Sequence, residues 1–134
     1  MNMKRTGFVF LSLFILGGFS VLNGQEEQPK KIAVASEGKT VDSRVGSQGA
    51  RCSWLLFFDE KGEIAETLEN PDRETRGDAG IKCAGLLADR RITIFVAGHV
   101  GDKFAAALES KNISFVSFSG TVKEAIVHVL EDPD

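Results

Sequence analysis

Three short runs in this chain are apolar at nearly every position: Ile32–Ala35 (IAVA), Trp54–Phe58 (WLLFF) and Ile92–Ala97 (ITIFVA). A strand with one wet face alternates, whereas a run without a polar face must be covered on both sides. At four to six residues, each run suits a buried strand better than a helix. The chain is therefore expected to build a sheet with helices packed on both of its faces.

The segments between these runs supply the rest. Asp59-Glu60-Lys61-Gly62 is a hairpin turn, and Glu63–Glu69 alternates, with Ile64 and Leu68 on one face, as in a half-exposed edge strand. Ile113–Phe118 is a fifth strand. A helix is predicted over about Ala79–Arg90, with Ile81, Ala84, Leu87 and Ala88 as its buried stripe and Cys83 on the flank of that stripe. A second is predicted over about Asp102–Lys111, with Phe104, Ala107 and Leu108 facing in. The last opens at Gly120-Thr121, where Thr121 and Glu124 match a capping box, and Val122, Ala125, Ile126, Val129 and Leu130 repeat at helical spacing. The order is β-β-β-α-β-α-β-α. This reads as one α/β domain over residues 32–130 with a five-stranded mixed sheet in which strand two is antiparallel. Residues 131–134 form a short tail.

Ahead of the domain, Lys4 and Arg5 precede an uncharged apolar run, Gly7–Leu22, with small residues at Ser20 and Gly24. Residues 1–24 read as a secretory signal, with an uncleaved membrane anchor as the alternative. Residues 25–31 (QEEQPKK) read as a disordered lead-in. The expected location is periplasmic or secreted, with the membrane involved only through the N-terminal segment if it stays uncleaved. The formal net charge is −3; the first 24 residues hold Lys4, Arg5 and no acid, so without them it becomes −5. An acidic domain with scattered charge argues against nucleic acid or an anionic membrane as the main partner.

With this topology, ligands are expected beyond the carboxyl ends of the parallel strands. Arg51 and Cys52 before strand two, Cys83 near a helix start and His99 after strand four all fall at that end. All three helices also begin there, and their N-termini favour an anionic ligand. Cys52, His99 and Cys83 are candidate metal ligands, since thiolate and imidazole suit iron, copper or zinc. In an oxidising compartment Cys52 and Cys83 could instead form a disulfide. Asp42, Asp59 and Asp102 do not read as an acidic nuclease cluster, because Asp59 lies at the far end of strand two. His128 falls off the apolar stripe of the last helix and reads as exposed.

The segments KIAVASEGKTVDSRV (Lys31–Val45), ARCSWLLFFD (Ala50–Asp59), GEIAETLENP (Gly62–Pro71), GDAGIKCAGLLADRRITIFVAGHVG (Gly77–Gly101) and SGTVKEAI (Ser119–Ile126) follow one another in a familiar order and spacing. Together they resemble the dinitrogenase iron–molybdenum cofactor biosynthesis family, which includes nitrogenase cofactor carriers, accessory proteins and the orange proteins. The resemblance implies a ribonuclease-H-like three-layer α/β/α fold. It implies non-enzymatic binding or carriage of an anionic metal–sulfur cluster of iron, molybdenum or copper, received from a donor or passed to an acceptor protein. It points to Arg51, Cys52, Gly80 (through its backbone) and His99 as cofactor-binding residues. Two features differ from the family pattern: Gly49-Ala50 stands where Phe-Gly is common before Arg-Cys, and family members mostly lack a signal segment. Two other functions are compatible with the residues: a thiol–disulfide redox or sensor module using Cys52 and Cys83, and a partner-binding domain with a decayed site.

Overall fold

The apolar runs become the centre of one sheet in the computed structural model, which describes residues 29–131. The expected signal segment, most of the lead-in and the last three residues lie outside the described residues. The strands are β1 (Ile32–Ser36), β2 (Trp54–Phe58), β3 (Ile64–Glu69), β4 (Ile94–Ala97) and β5 (Ser114–Ser117). The helices are α1 (Ala79–Asp89), α2 (Asp102–Ser110) and α3 (Val122–Glu131). Among the described residues, no helix is long and apolar enough to cross a membrane.

The strand order is β3-β2-β1-β4-β5. β2 is antiparallel to both β1 and β3, while β4 is parallel to β1 and to β5. β1 is central and fully buried, as a strand without a polar face must be. β3 is the alternating segment, and it lies at an edge with most of its residues exposed. Its start is set by the hairpin turn, where the Asp59 carboxylate accepts from the Lys61 and Glu63 N–H groups at 2.9 and 3.0 Å.

Side chains alternate across the sheet and divide the core into two layers. On one face Ala33, Ala35, Leu55, Phe57, Phe95 and Ala97 pack against Cys83, Ala84 and Leu87 of α1 and Phe104 and Leu108 of α2. On the other, Ile32, Val34, Leu56, Phe58 and Val96 pack against Val122, Ala125, Ile126 and Val129 of α3. The result is a three-layer α/β/α arrangement.

One helix phase differs from the sequence expectation. Ile81 is 50% exposed rather than buried, and Cys83 is fully buried rather than on the flank. The cause is the contact between α1 and α2. A Cβ built on Gly80 would lie 2.8 Å from the Phe104 Cβ and 3.0 Å from its Cα. Small residues let the helix starts approach this closely, so α1 turns its Ala79, Cys83, Ala84 and Leu87 face inward and leaves Ile81 outside.

Candidate functional site

Beyond the carboxyl ends of β1 and β4, the chain folds back on itself in a stack of loops. The Gly46 N–H donates to the Ala35 carbonyl and the Gly98 N–H to the Gly46 carbonyl, both at 2.8 Å. A short 3-10 turn, Gly49–Arg51, follows. Its Gly49 N–H donates to the His99 carbonyl at 2.9 Å, which joins the turn before β2 to the turn after β4. A Cβ on Gly49 would lie 2.9 Å from a Phe104 ring carbon and 3.0 Å from one of Phe95. The Phe95 and Phe104 rings, 5.2 Å apart, thus fill the space that a larger residue at position 49 would need.

This stack and the starts of α1 and α2 enclose a groove of about 410 Å³. Arg51, Gly80 and His99 line it, together with Gly101, Asp102 and Lys103. Three of the sequence-predicted residues therefore share one surface. Arg51 is anchored by its own guanidinium, which donates from Nη1 to the Arg73 carbonyl at 3.0 Å. A shallower recess of about 630 Å³, lined by Arg51, Arg73, Glu74, Arg76 and Gly77, continues from the same arginine.

The helix starts differ in how their N–H groups are satisfied. α3 is closed: the Thr121 N–H donates to Glu124 Oε1 at 2.9 Å and the Glu124 N–H to Thr121 Oγ1 at 3.1 Å. The Val122 and Lys123 N–H groups donate to the Ser43 and Val41 carbonyls. This is the predicted capping box, and it removes α3 from the site. α1 and α2 instead begin at Asp78 and Gly101 without a side-chain cap. Both uncapped starts line the groove. Their partial positive charge adds to that of Arg51 and Lys103, with Asp102 the one acid on the lining.

Cys52 and Cys83 do not line the groove. Both are free thiols, 5% and 0% exposed, in the core layer beneath it. Cys52 is covered by the returning loop, since a Cβ on Gly46 would lie 2.9 Å from its Cβ. Burial pushes its thiol from 9.0 up to about 11, opposed by N–H donors from Ser36, its own backbone and Asn70 and by the charge of Arg73. Burial also raises the Cys83 thiol, and the neighbouring Cys52 and Asp72 raise it further. At neutral pH both are protonated, and a protonated buried thiol is a poor nucleophile and a poor ligand. His99 is exposed. Among the described residues, no three His, Cys, Asp or Glu side chains converge so as to hold a metal ion.

Sequence reasoning passed over Asn70, which is buried. Its amide donates to the Ala50 and Cys52 carbonyls, at 2.9 Å each, and lies 3.7 Å from the Cys52 sulfur. Its carbonyl accepts from the Asp72 N–H at 2.9 Å. Asn70 thus clasps both residues that flank Arg51. The available signal was an Asn-Pro pair directly after a strand.

The fold and groove together define an α/β domain with a groove at its strand ends, lined by two uncapped helix starts, Arg51 and Lys103. The chain belongs to the dinitrogenase iron–molybdenum cofactor family, whose model matches residues 30–132. Among solved structures it is similar to the apo form of the orange protein from Desulfovibrio gigas. That likeness has 28% identity and a TM-score of 0.73, over 79% of this chain and 91% of that one. It is also similar to a provisionally assigned NifB protein from Thermotoga, with 29% identity and a TM-score of 0.66, over 76% of this chain and 88% of that one. A provisionally assigned dinitrogenase protein from Methanocaldococcus jannaschii shares the fold at 15% identity, with a TM-score of 0.52 over 78% and 91% of the two chains. No curated protein matches the chain.

Proposed function

We propose that this protein binds and carries an anionic metal–sulfur cluster, of iron, molybdenum or copper, without catalysing a reaction on it. The observation that carries the reading is the groove itself, where two uncapped helix starts face the same space as Arg51, Lys103 and His99. Backbone N–H groups and a guanidinium suit the sulfur or oxygen shell of a compact anion. They do not suit a bare cation, which would need converging carboxylate, thiolate or imidazole ligands. Arg51 would pair with the anion's charge, Gly80 would offer its backbone, and His99 would donate from its imidazole. The family is tied by name to the iron–molybdenum cofactor, which supports a cluster as the cargo. The strand order also fits the ribonuclease-H-like arrangement that the resemblance implies. Residues 7–22 support work outside the cytoplasm, with the cluster received from a donor or passed to an acceptor protein.

A second reading makes Cys52, Cys83 and His99 the metal ligands, or the two cysteines a redox pair. Its support is that both free thiols occupy one core layer and that Cys52 is felt at Cys83. It requires the Gly46–Arg51 loop to open.

Binding of tetrathiomolybdate to the full chain under anaerobic conditions separates the two. The groove reading expects Arg51→Ala to weaken binding about tenfold or more, through loss of a charge-assisted contact. It expects His99→Ala to weaken it less and Cys52→Ser to leave it unchanged. Loss of binding in Cys52→Ser, with Arg51→Ala unaffected, would transfer the site to the thiols. No binding to the wild-type chain would overturn the cluster reading.

A further inference from the structure

The sheet has two edges of opposite character, β3 at one and β5 at the other. An open edge strand invites pairing with another chain unless charge, proline or a bulge blocks it. β3 carries Glu66 and Glu69, follows Glu60, Lys61 and Glu63, and shifts register against β2 at Phe57/Phe58. β5 has none of these devices. From Asn112 to Gly120 the sequence is NISFVSFSG, without a charge or a proline. Its register with β4 is unbroken from Ser114 to Ser117. Among the described residues no strand or isolated bridge lies on its outer side.

What β5 offers on that side follows from its bonds to β4. The Ser114 N–H donates to the Thr93 carbonyl at 2.9 Å and the Phe118 N–H to the Ala97 carbonyl at 3.0 Å. Backbone groups alternate in direction along a strand. Ser114, Val116 and Phe118 therefore bond inward, while Phe115 and Ser117 turn their N–H and C=O groups outward. Phe115 packs on the layer of α1 and α2, and Val116 and Phe118 on the layer of α3. All three are only partly buried, and Ser114 and Ser117 are exposed.

The strand is its own complement. When two copies meet antiparallel across a two-fold axis perpendicular to the sheet, paired residues lie on the same face. With Val116 on the axis, Phe115 stands opposite Ser117 of the second copy and Phe118 opposite its Ser114, so each ring meets a small residue. Phe115 and Ser117 are also the two residues whose backbone groups point outward. This register makes them a hydrogen-bonded pair on each side of the axis. Centring on Phe115 instead would need the Ile113 N–H, which already donates to the Leu108 carbonyl. Centring on Ser117 would set Phe115 opposite Ser119, past the end of the strand. Hydrogen-bond phase selects one register, and side-chain size fits it.

We propose that β5 is the interface of a reversible homodimer, in which two copies pair antiparallel about Val116 and join their sheets into one. The occupant is a second copy because a neutral strand faces itself without like charges in opposition. The axis turns the second copy end for end, so the two grooves open at opposite ends of the joined sheet. The inference is independent of what they carry. A seam this short falls at the low end of interface sizes, which makes the dimer concentration-dependent.

The test is cysteine cross-linking of the full chain. Residues on the axis form a non-hydrogen-bonded pair with Cα atoms about 4.5 Å apart, within the span a disulfide bridges. Val116→Cys should therefore give a covalent dimer under mild oxidation, while the native Cys52 and Cys83 stay buried. Ser114→Cys is the control, because its two copies would lie more than about 13 Å apart along the seam. Val116→Cys is expected to yield about tenfold more dimer than Ser114→Cys. Adding Ser117→Lys, at a position exposed in the monomer, puts charge on the edge and should abolish the difference. Equal yields from the two cysteine variants, or no dimer from Val116→Cys, would overturn the proposal. The wild type gives a check without substitution: amide exchange at Phe115 and Ser117 should slow about tenfold as protein concentration rises. Fast exchange at every concentration would overturn the dimer. Slow exchange at every concentration, with no cross-link, would mean that another segment of the same chain covers the edge, and would overturn it too.

Discussion

The Gly49 N–H donates to the His99 carbonyl at 2.9 Å. This bond ties the turn that carries Arg51 to the turn that carries His99, so the two turns do not move independently. Around it, glycines bring backbone segments into close contact, and Asn70 locks the carbonyls on either side of Arg51. The groove is built from backbone held by backbone, which gives its N–H groups fixed positions before any ligand arrives.

Gly80→Ala should destabilise the domain by roughly 1–3 kcal/mol, because the new Cβ meets Phe104 backbone atoms and not a flexible side-chain end. Gly85→Ala is the control. Nothing lies within 4 Å of its Cβ and it sits inside α1, so the change should leave the domain as stable or add up to about 1 kcal/mol. Urea unfolding of the two variants checks this, and equal losses would contradict the close packing of α1 on α2.

Asn70→Ala leaves the Ala50 and Cys52 carbonyls without their donor, at a cost of about 1–3 kcal/mol. Asn70→Asp keeps the size but places an acceptor against two acceptors, so it should be no milder. A variant with unchanged unfolding midpoint would show that the clasp contributes nothing.

The thiols make a pH prediction. The Cys52 pKa is raised by burial from 9.0 to about 11, so the fold favours the protonated form. Its contribution to stability is fully present below about pH 9 and is lost as the pH rises through 11. Unfolding measured between pH 8 and 11 should show this alkaline loss in the wild type and less of it in Cys52→Ala. Native protein at pH 8 should react slowly with a thiol reagent, and a rapid stoichiometric reaction would show that Cys52 is not sealed.

The capping box titrates in the other sense. Hydrogen bonds from Thr121 hold the Glu124 carboxyl below its usual value. Its contribution is present above that usual value and is lost as the pH falls through the lowered one. Thr121→Ala should cost about 0.5–2 kcal/mol at neutral pH. In Glu124→Gln, acid unfolding should lose this component, which circular dichroism of the whole domain during acid titration would follow.

Much of this architecture was legible in the residues. Runs apolar on both faces identified the central strands, the Asp59–Gly62 turn identified the hairpin, and Thr121 with Glu124 marked the start of α3. Once strand ends are known, Arg51, Gly80 and His99 fall on one side without further information. What stayed hidden was depth. Hydropathy weights Ile81 above Gly80, yet a close helix contact depends on the small residue, so α1 is rotated from its expected phase. Cys52 could be placed at the correct sheet end but not seen to lie under the Gly46 loop, since that loop has no periodicity to read. Asn70 was hidden for the same reason: its partners are backbone carbonyls, which every residue has.

Amide chemical shifts report the groove most directly. Labelled full chain would be titrated with tetrathiomolybdate, and each backbone N–H followed. Saturable shifts should concentrate at Ala79, Gly80, Asp102 and Lys103, with His99 and Arg51 side chains moving in parallel and the α3 start unaffected. Shifts centred away from the groove, or none at all, would contradict an anion-binding groove at the starts of α1 and α2.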